Sequence, residues 1–393
     1  MHGQSAAPVT SAAIASDVRD GRDPQPTAAA ERLPVLDVLR GVAILGVLAS
    51  YTLWNLGAPP MESWSRVDRI IDTVGSMLID MKFLTIFAFL FGVGTVQQWR
   101  HLERQGENPV PVHARRMLFL LVVGLLHGAL LRNGDILAPY AILGFMLLAA
   151  RRRPAAQIVA AAIVLALLPY AVRALLHAMG WQLHGRPGPE ATNLDWMRHW
   201  YLSNPLTEWP RILALMLAGV VAERARLTSR VARDAPLARL ILGAGFVLAV
   251  ATRGTLMLLG SRWGGSEMTL AQSITINQLY HASAWTLAAV YASAFALLCQ
   301  RPAWVPRLGW LAAVGRMAFT NYLLQAAIIV PVCLAFGLYD RVSPTLGLLL
   351  AAGVAALQIP FSVWWLRRFQ YGPLEFVWRS VTYRTRPRLR QAA

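Results

Sequence analysis

Long apolar segments separated by short polar connections run through almost the whole chain of 393 residues. Each segment is close to the length of helix that crosses a hydrocarbon core roughly 30 Å thick, so each predicts a transmembrane helix. The pattern predicts an all-α polytopic membrane bundle of about ten transmembrane helices, placed at residues 36–56, 82–98, 116–132, 136–150, 155–178, 206–222, 236–259, 273–299, 312–336 and 344–366.

Arginine is concentrated on every second connection between these segments, and most of the 37 basic residues fall on the side that holds the N-terminus. Cytoplasmic loops retain Lys and Arg, so this asymmetry predicts that the N-terminus and the C-terminus are both cytoplasmic. Residues 1–31 lack an apolar period and are expected to form a disordered cytoplasmic tail. A helical transmembrane domain over 32–383 and a basic cytoplasmic tail over 384–393 follow.

The composition argues against two classes of partner. A formal charge of +17 would suit nucleic acid, but 56% hydrophobic residues and arginines at span ends favour anionic membrane lipid instead. The two cysteines, Cys299 and Cys333, form no CxxC motif or His/Cys cluster, so no metal site is expected.

Two connections on the outer side are long enough to hold structure of their own. Residues 56–81 carry apolar side chains at helical spacing, which predicts a helix along the interface, either a connector or a gate; these are Trp64, Val67, Ile70, Ile71, Val74 and Leu78. Residues 179–205 are polar and rich in aromatic rings of the kind that anchor at membrane interfaces, including Trp181, Trp196, Trp200 and Tyr201.

His127 is the strongest candidate for acid–base chemistry. It falls in the outer half of the third segment, where an ionisable group needs a partner and marks either a functional site or a polar helix contact. Asp135 follows in a short hairpin, where its carboxylate orients His127, holds a cation or caps the fourth helix. Arg132 can pair with Asp135 or meet an anionic substrate.

The eighth segment presents Ser273, Asn277 and His281 on one helical face. Arg253 and Lys82, the only lysine of the chain, are predicted at a similar depth. One hypothesis is an outer polar cavity containing His127, Arg132, Asp135, Arg253 and His281; the alternative is a set of unrelated interhelical hydrogen bonds.

A second polar set is predicted on the cytoplasmic side. Asp37 and Arg40 are three residues apart on one helical face and can form an ion pair. Arg316 and Asn321 open the ninth segment. Arginines at these places either anchor the topology in lipid headgroups or bind a ligand.

Several motifs, which together cover nearly the whole chain beyond the tail, carry a family resemblance. The opening RLPVLDVLRGVAILG from Arg32 to Gly46 and the hairpin GLLHGALLRNGDILAPYAILG from Gly124 to Gly144 resemble the YeiB-type family of bacterial membrane proteins. Residues 82–94, 315–322 and 372–383 extend the same resemblance. It implies a multi-pass protein of the bacterial inner membrane.

The Asp-x-x-Arg-Gly pattern of the opening, from Asp37 to Gly41, is similar to membrane acyltransferases that include the heparan glucosaminide acetyltransferases. That similarity implies acyl-CoA as a co-substrate, no permanently bound cofactor, a phosphate-bearing donor held by the cytoplasmic set, and a sugar or small-molecule acceptor. The chain departs from these enzymes where they carry a catalytic histidine, because it has Tyr51 at one such place and no histidine over 41–100.

Three functions follow as hypotheses: a transmembrane acyltransferase, a secondary transporter of a small solute, and a non-catalytic membrane scaffold. The first predicts an inner donor pocket joined to an outer acceptor pocket. Its expected catalytic residues are His127, Asp135 and His281. Its expected substrate-binding residues are Asp37, Arg40, Lys82, Arg132, Arg253, Asn277, Arg316 and Asn321.

Overall fold

The computed structural model describes residues 33–130, 135–179, 195, 201, 204–263 and 268–390. Over these ranges the regular structure is helical, apart from an isolated bridge between Phe369 and Arg390. The α-helices in chain order are α1 (Pro34–Trp54), α2 (Arg66–Leu78), α3 (Lys82–Arg104), α4 (Pro109–Leu130), α5 (Leu137–Ala150), α6 (Ala155–Ala178), α7 (Trp209–Arg224), α8 (Leu227–Arg233), α9 (Ala235–Trp263), α10 (Leu270–Cys299), α11 (Gly309–Arg316), α12 (Ala318–Ala335), α13 (Pro344–Leu366) and α14 (Pro373–Tyr383).

The predicted all-α membrane fold is confirmed. Within the described ranges, eight helical segments are long and apolar enough to cross a membrane: α1, the segment Arg66–Arg104 that contains α3, and α4, α6, α9, α10, α12 and α13. The spans predicted at 136–150 and 206–222 correspond to the shorter helices α5 and α7. At a rise of about 1.5 Å per residue these two are only about 21 and 24 Å long. The chain is an integral membrane protein, and the number of crossings stays a prediction.

Side-chain contacts identify two faces of the bundle. At the arginine-rich face, Arg100 donates hydrogen bonds to the carbonyl oxygens of Glu223 and Arg224, and Arg224 donates to the carbonyl of Ala150. At the opposite face, Trp54 donates to Asp72 and the amide of Asp340 donates to the carbonyl of Leu56. Consecutive long helices run between these two faces in alternating directions.

The span predicted at 312–336 is not continuous, because the helix is interrupted at Met317 (φ −110°, ψ 27°) between α11 and α12. Glu375 of α14 compensates for this interruption. Its carboxylate accepts hydrogen bonds from the backbone nitrogen of Thr320, at 2.9 Å, and from the Thr320 hydroxyl, at 2.5 Å. The free donors at the start of α12 are therefore satisfied by a helix from elsewhere in the chain.

Glycines allow two pairs of helices to approach closely. A Cβ atom on Gly41 of α1 would lie 2.8 Å from the carbonyl carbon of Leu311 and 3.2 Å from the nitrogen of Gly315, both in α11. A Cβ on Gly219 of α7 would lie 3.1 Å from the nitrogen of Val93 in α3. These are the close backbone contacts typical of membrane helices.

The helix predicted in the connection 56–81 is confirmed as α2. Ser65 and Asp68 form a capping box at its start, and Asp68 also accepts hydrogen bonds from the backbone and hydroxyl of Thr345. These hydrogen bonds, those of Ser65 first, lower the pKa of Asp68. Val67 and Ile70 on the apolar side are each 54% exposed, as expected for a helix lying along a membrane interface.

Candidate functional site

A cavity of about 630 Å³ lies inside the bundle at the arginine-rich face. We call it the arginine cavity, because its lining includes Arg40, Arg100, Arg104, Arg116, Arg233, Arg316 and Arg379. Three carboxylates also line it, namely Asp37, Glu223 and Glu375. Its volume lies in the range of small-molecule sites, which is roughly 300–1,000 Å³.

Two of the arginines form ion pairs in the cavity wall. Arg40 Nη1 is 2.8 Å from Asp37 Oδ1, which confirms the predicted pairing across one helical turn. Arg100 Nη1 is 3.6 Å from Glu223 Oε1. Arg316 lies in the same wall and donates to the carbonyl oxygen of Gln370. Three of the four residues of the predicted cytoplasmic set therefore reach one cavity.

Helix α14 forms a second wall of the arginine cavity. The guanidinium of Arg116 lies between two rings, 5.3 Å from the centroid of Phe91 and 4.9 Å from that of Trp378. Arg379 lies over the rings of Tyr371 and Tyr383. The wall is fixed to the bundle by a bond from Arg115 Nε to the carbonyl of Thr382.

Glu375 is the acidic residue of this wall. Burial raises the pKa of the Glu375 carboxyl, while the hydrogen bonds from Thr320 oppose that shift. Both carboxylate oxygens are engaged by Thr320, so Glu375 is a structural acceptor in this arrangement.

The arginine cavity becomes apolar with depth. Arg100 and Phe87 both line it from α3 and are separated by roughly 20 Å along that helix. Its inner part is lined by Phe87, Leu90, Phe91, Leu120, Leu137, Tyr140 and Tyr322. The lining therefore suits a ligand that is charged at one end and uncharged at the other.

Tyr322 separates the inner end of the cavity from the predicted His127–Asp135 pair. Its hydroxyl donates to Asp135 Oδ1 at 3.3 Å and accepts from the backbone nitrogen of Ile136 at 3.2 Å. Its ring centroid is 5.2 Å from that of His127. Asp135 and His127 thus lie directly behind a residue that lines the cavity.

His127 and Asp135 are both buried, with 9% and 2% of their surface exposed. His127 Nδ1 is 3.2 Å from Asp135 Oδ1, a close contact that is not aligned as a hydrogen bond. Asp135 Oδ2 also accepts a hydrogen bond from the nitrogen of Ala138, in the first turn of α5. Asp135 therefore binds the first turn of α5 through one oxygen and contacts His127 through the other, while its role in orienting the histidine stays a prediction.

Small residues make room for this pair. A Cβ on Gly124 would lie 2.5 Å from Asp135 Oδ2. Tyr201, predicted as an interfacial anchor, lies close by: burial, and then the negative charge of Asp135, raise the pKa of its hydroxyl. The structure thus adds Tyr201 and Tyr322 to the surroundings of the two predicted residues.

Lys82 and Arg253 lie together but apart from His127. Lys82 is 1% exposed, and its Nζ donates to the carbonyl oxygen of Ser76 at 2.7 Å. Arg253 donates to the hydroxyl of Ser76 at 3.2 Å. Both cations therefore lie at the C-terminal end of α2, where positive charge stabilises a helix.

His281 and Asn277 belong to a third group, centred on Arg211. Arg211 is 4% exposed and donates to Asn277 Oδ1 at 2.8 Å and to Glu208 Oε1 at 2.7 Å. The buried His281 lies within electrostatic range of the Arg211 guanidinium. The described contacts therefore divide the hypothetical outer cavity into separate groups, and Arg132 lies outside the described residues.

Asn321 is fully buried and belongs to a polar ladder between helices rather than to the cavity lining. Its side-chain nitrogen donates to the carbonyl of Val314 and to the hydroxyl of Ser362, and Gln358 donates to its carbonyl oxygen. Gln325 extends the ladder to the carbonyl of Ile44 in α1. In this position Asn321 supports the helix interruption at Met317.

Sequence reasoning missed the α14 wall and the role of Arg116. Arg116 looked like one of many arginines at a span end, and Trp378 like part of a family motif. The clue was the separation of an amphipathic C-terminal segment from the last span by Gly372 and Pro373. Among the described residues no group of His, Cys, Asp and Glu could hold a metal ion.

Known proteins place this chain in a family. The family model described as "Protein of unknown function (DUF418)" matches residues 222–385. The uncharacterized protein YxaH of Bacillus subtilis (strain 168) is 31% identical, over 91% of this chain and 96% of the relative. The uncharacterized protein YeiB of Escherichia coli (strain K12) is 28% identical, over 90% of this chain and 97% of the relative.

An uncharacterized 39.9 kDa protein from the amylase 3′ region of Bacillus acidopullulyticus is also 28% identical, over 91% of this chain. No solved structure matches the chain. Because these similarities extend along nearly the full length of each protein, the chain belongs to the DUF418 family of YeiB-type integral membrane proteins.

Proposed function

We propose that this protein is a membrane acyltransferase that moves an acyl group from an acyl-CoA-like donor in the arginine cavity to an acceptor at the opposite face. One observation carries the proposal: Tyr322 lines the cavity, and its hydroxyl binds Asp135, which in turn contacts His127. A donor site and a candidate general base are thus separated by a single aromatic ring.

In the proposed reaction His127 is the general base. Its Nε2 is buried and has no hydrogen-bond partner among the described residues. Nε2 takes the proton of the acceptor hydroxyl or amine while the acceptor atom attacks the thioester carbonyl carbon. The carbon–sulfur bond breaks, and the coenzyme A thiolate receives the proton from His127. Asp135 stabilises the imidazolium between these steps.

The proposal includes an orientation. We assign the arginine-rich face to the cytoplasm, with both termini there and ten crossings of the bacterial inner membrane. Coenzyme A thioesters are then available on the side where the cavity opens. Anionic lipid is the expected partner of the arginines at the helix ends, and the acceptor is a sugar or other small molecule at the outer face.

A secondary transporter is the second candidate function, favoured by one observation. The arginine cavity lies at one face, and the contacts among Tyr322, Asp135 and His127 lie between it and the opposite face. That arrangement is also expected for one state of an alternating-access cycle.

The test uses the full chain purified into lipid nanodiscs, with coenzyme A release followed by thiol titration in the presence of acyl-CoA and a cell extract as the acceptor source. His127→Ala is expected to lower the rate about 100-fold or more, because general bases contribute roughly 10²–10⁴-fold. His177→Ala is the matched control, since His177 is exposed at the end of α6.

Equal rates for His127→Ala and His177→Ala would remove His127 from the reaction. If the wild-type protein releases no coenzyme A thiol but takes up acyl-CoA into proteoliposomes, the transporter function is favoured and the acyltransferase function is rejected.

A further inference from the structure

The charges that line the arginine cavity are not balanced within it. Seven arginines face three carboxylates, and each carboxylate is already engaged. Asp37 is paired with Arg40, and Glu223 with Arg100. Glu375 accepts both of its short hydrogen bonds from Thr320. Arg116, in the α14 wall, therefore faces no carboxylate that is free to pair with it among the lining residues.

Arg116 is half-buried and lies between the rings of Phe91 and Trp378. It donates one hydrogen bond, from Nη1 to Gln98 Oε1 at 3.0 Å, and no carboxylate lies within ion-pair distance among the described residues. Its Nε is buried and has no acceptor there. Arg40 is close enough to repel it. A half-buried guanidinium that lies between two rings and has no carboxylate partner among the described residues is well placed to bind an anion from the cavity.

Further unused hydrogen-bonding groups surround Arg116. Trp378 Nε1 and Tyr371 Oη are both buried, and neither has a hydrogen-bond partner among the described residues. Tyr371 and Trp378 line the same cavity as Arg116 and Arg379. Buried polar groups are almost always hydrogen-bonded, so a cluster of unmet groups beside a cavity indicates a ligand with several acceptor atoms.

We propose that the α14 wall of the arginine cavity is a phosphate subsite, in which Arg116 and Arg379 bind phosphate-ester oxygens and Trp378 Nε1 donates a further hydrogen bond. A phosphate group offers several acceptor oxygens and matches the planar fork of a guanidinium. The choice of acyl-CoA as the ligand rests on the proposed function, whereas phosphate binding is measured independently of acyl transfer.

The geometry favours this wall over the Asp37–Arg40 pair, to which the family resemblance would assign the phosphate. Arg40 already has a carboxylate at 2.8 Å, whereas Arg116 has none at ion-pair distance among the described residues. The wall is also held in place without a ligand, through Thr320 at one end and Arg115 at the other. Such preorganisation lowers the cost of binding.

Calorimetric titration of the full chain in phosphatidylcholine nanodiscs tests the proposal, with coenzyme A and phosphate-free pantetheine as probes. We expect coenzyme A to bind and pantetheine to bind at least tenfold more weakly. Arg116→Gln and Arg379→Gln should each weaken the binding of coenzyme A about ten- to a hundredfold, because each removes charge-assisted hydrogen bonds. Trp378→Phe should lower the affinity for coenzyme A by a few-fold, because it removes one neutral hydrogen-bond donor.

Arg239→Gln is the matched control, because it removes the same charge from an exposed position outside the cavity lining. If Arg116→Gln does not fold, Arg116→Lys and Trp378→Phe decide the matter. Affinities that are unchanged in these variants, or lowered equally by Arg239→Gln, would overturn the phosphate subsite.

A second arm identifies the source of the phosphate. Phosphatidylglycerol retained in native mass spectra by the wild type, but lost in Arg116→Gln, would assign the subsite to a lipid headgroup. Coenzyme A binding without phosphatidylglycerol retention would assign the subsite to a soluble phosphate ester. If the wild type neither binds coenzyme A nor retains phosphatidylglycerol, the phosphate subsite is refuted. Phosphate-dependent binding without thiol release would keep the subsite and reject the proposed acyl transfer.

Discussion

Replacement of Gly41 by alanine should destabilise the protein at the crossing of α1 and α11. The added methyl group would overlap the carbonyl oxygen of Leu311 and lie 2.8 Å from its carbonyl carbon, whereas ordinary contacts are 3.4–4 Å. The two helices would have to separate by roughly 1 Å, because the obstacle is backbone rather than a flexible side chain. Overpacking of this kind costs about 1–3 kcal/mol.

Gly353→Ala is the matched control for this prediction. Gly353 lies inside α13, and nothing lies within 4 Å of the position of an added Cβ. Both substitutions replace a helical glycine by alanine, so the gain of up to about 1 kcal/mol from helix propensity applies to both. The difference between the two variants isolates the steric cost.

The measurement is thermal unfolding in detergent, followed by a thiol-reactive fluorophore. Cys333 is fully buried and both cysteines are free, so a Cys299→Ser background leaves one thiol that reacts on unfolding. Gly41→Ala should unfold at a lower temperature than Gly353→Ala. It should also bind coenzyme A more weakly, because α1 carries Asp37 and Arg40 into the cavity. Equal unfolding temperatures would refute the close crossing of the two helices.

Three further predictions follow from other parts of the molecule. Asn321→Leu should cost about 1–2 kcal/mol of stability, because it removes interhelical hydrogen bonds to Val314 and Ser362. Asp68→Asn should lower stability at neutral pH and flatten its decline in acid. The lowered pKa of Asp68 means that its contribution is present above the ordinary value of 3.8 and is lost as pH falls through the folded pKa. Tags at the two termini should both be labelled only from the cytoplasmic side.

Each of these has a contradicting result. Gln157→Leu changes an exposed amide of α6 and controls for added apolarity; a loss as large as that of Asn321→Leu would contradict the polar ladder. If the stability of Asp68→Asn declines in acid as steeply as that of the wild type, the contribution of the hydrogen bonds between Asp68 and Thr345 is contradicted. Labelling of the two termini from different sides would contradict the even number of crossings.

The sequence was sufficient for the class of fold and for local pairings. Apolar length identified the long helices, and helical spacing identified α2 and the Asp37–Arg40 pair. The hairpin between α4 and α5 is short enough that His127 and Asp135 could be predicted to meet. Contacts within one or two turns, or across a short hairpin, are largely determined by local geometry.

Contacts between distant segments were harder to predict. The interruption at Met317 depends on Glu375, which lies on another helix, and on the close approach of Gly41 to α11. Lys82 and His281 were predicted at a similar depth, but depth does not specify how each helix is rotated about its axis. For that reason the hypothetical outer cavity is divided in the structure. The sequence identified Arg116 only as a positive charge near the end of a span. Its packing against Trp378 of α14 became evident only in the structure.

The two shortest of the predicted spans, α5 and α7, have an electrical consequence. Most residues of α5 and α7 are buried inside the bundle, so these helices meet other helices more than lipid. If both cross the membrane as predicted, the low-dielectric layer along them is only about 21–24 Å thick, compared with roughly 30 Å for a bilayer's hydrocarbon core. A membrane voltage, which is worth about 2.3 kcal/mol per elementary charge at 100 mV, would fall across this thinner layer. A charge crossing beside these helices would then experience a steeper voltage gradient than one crossing the surrounding lipid.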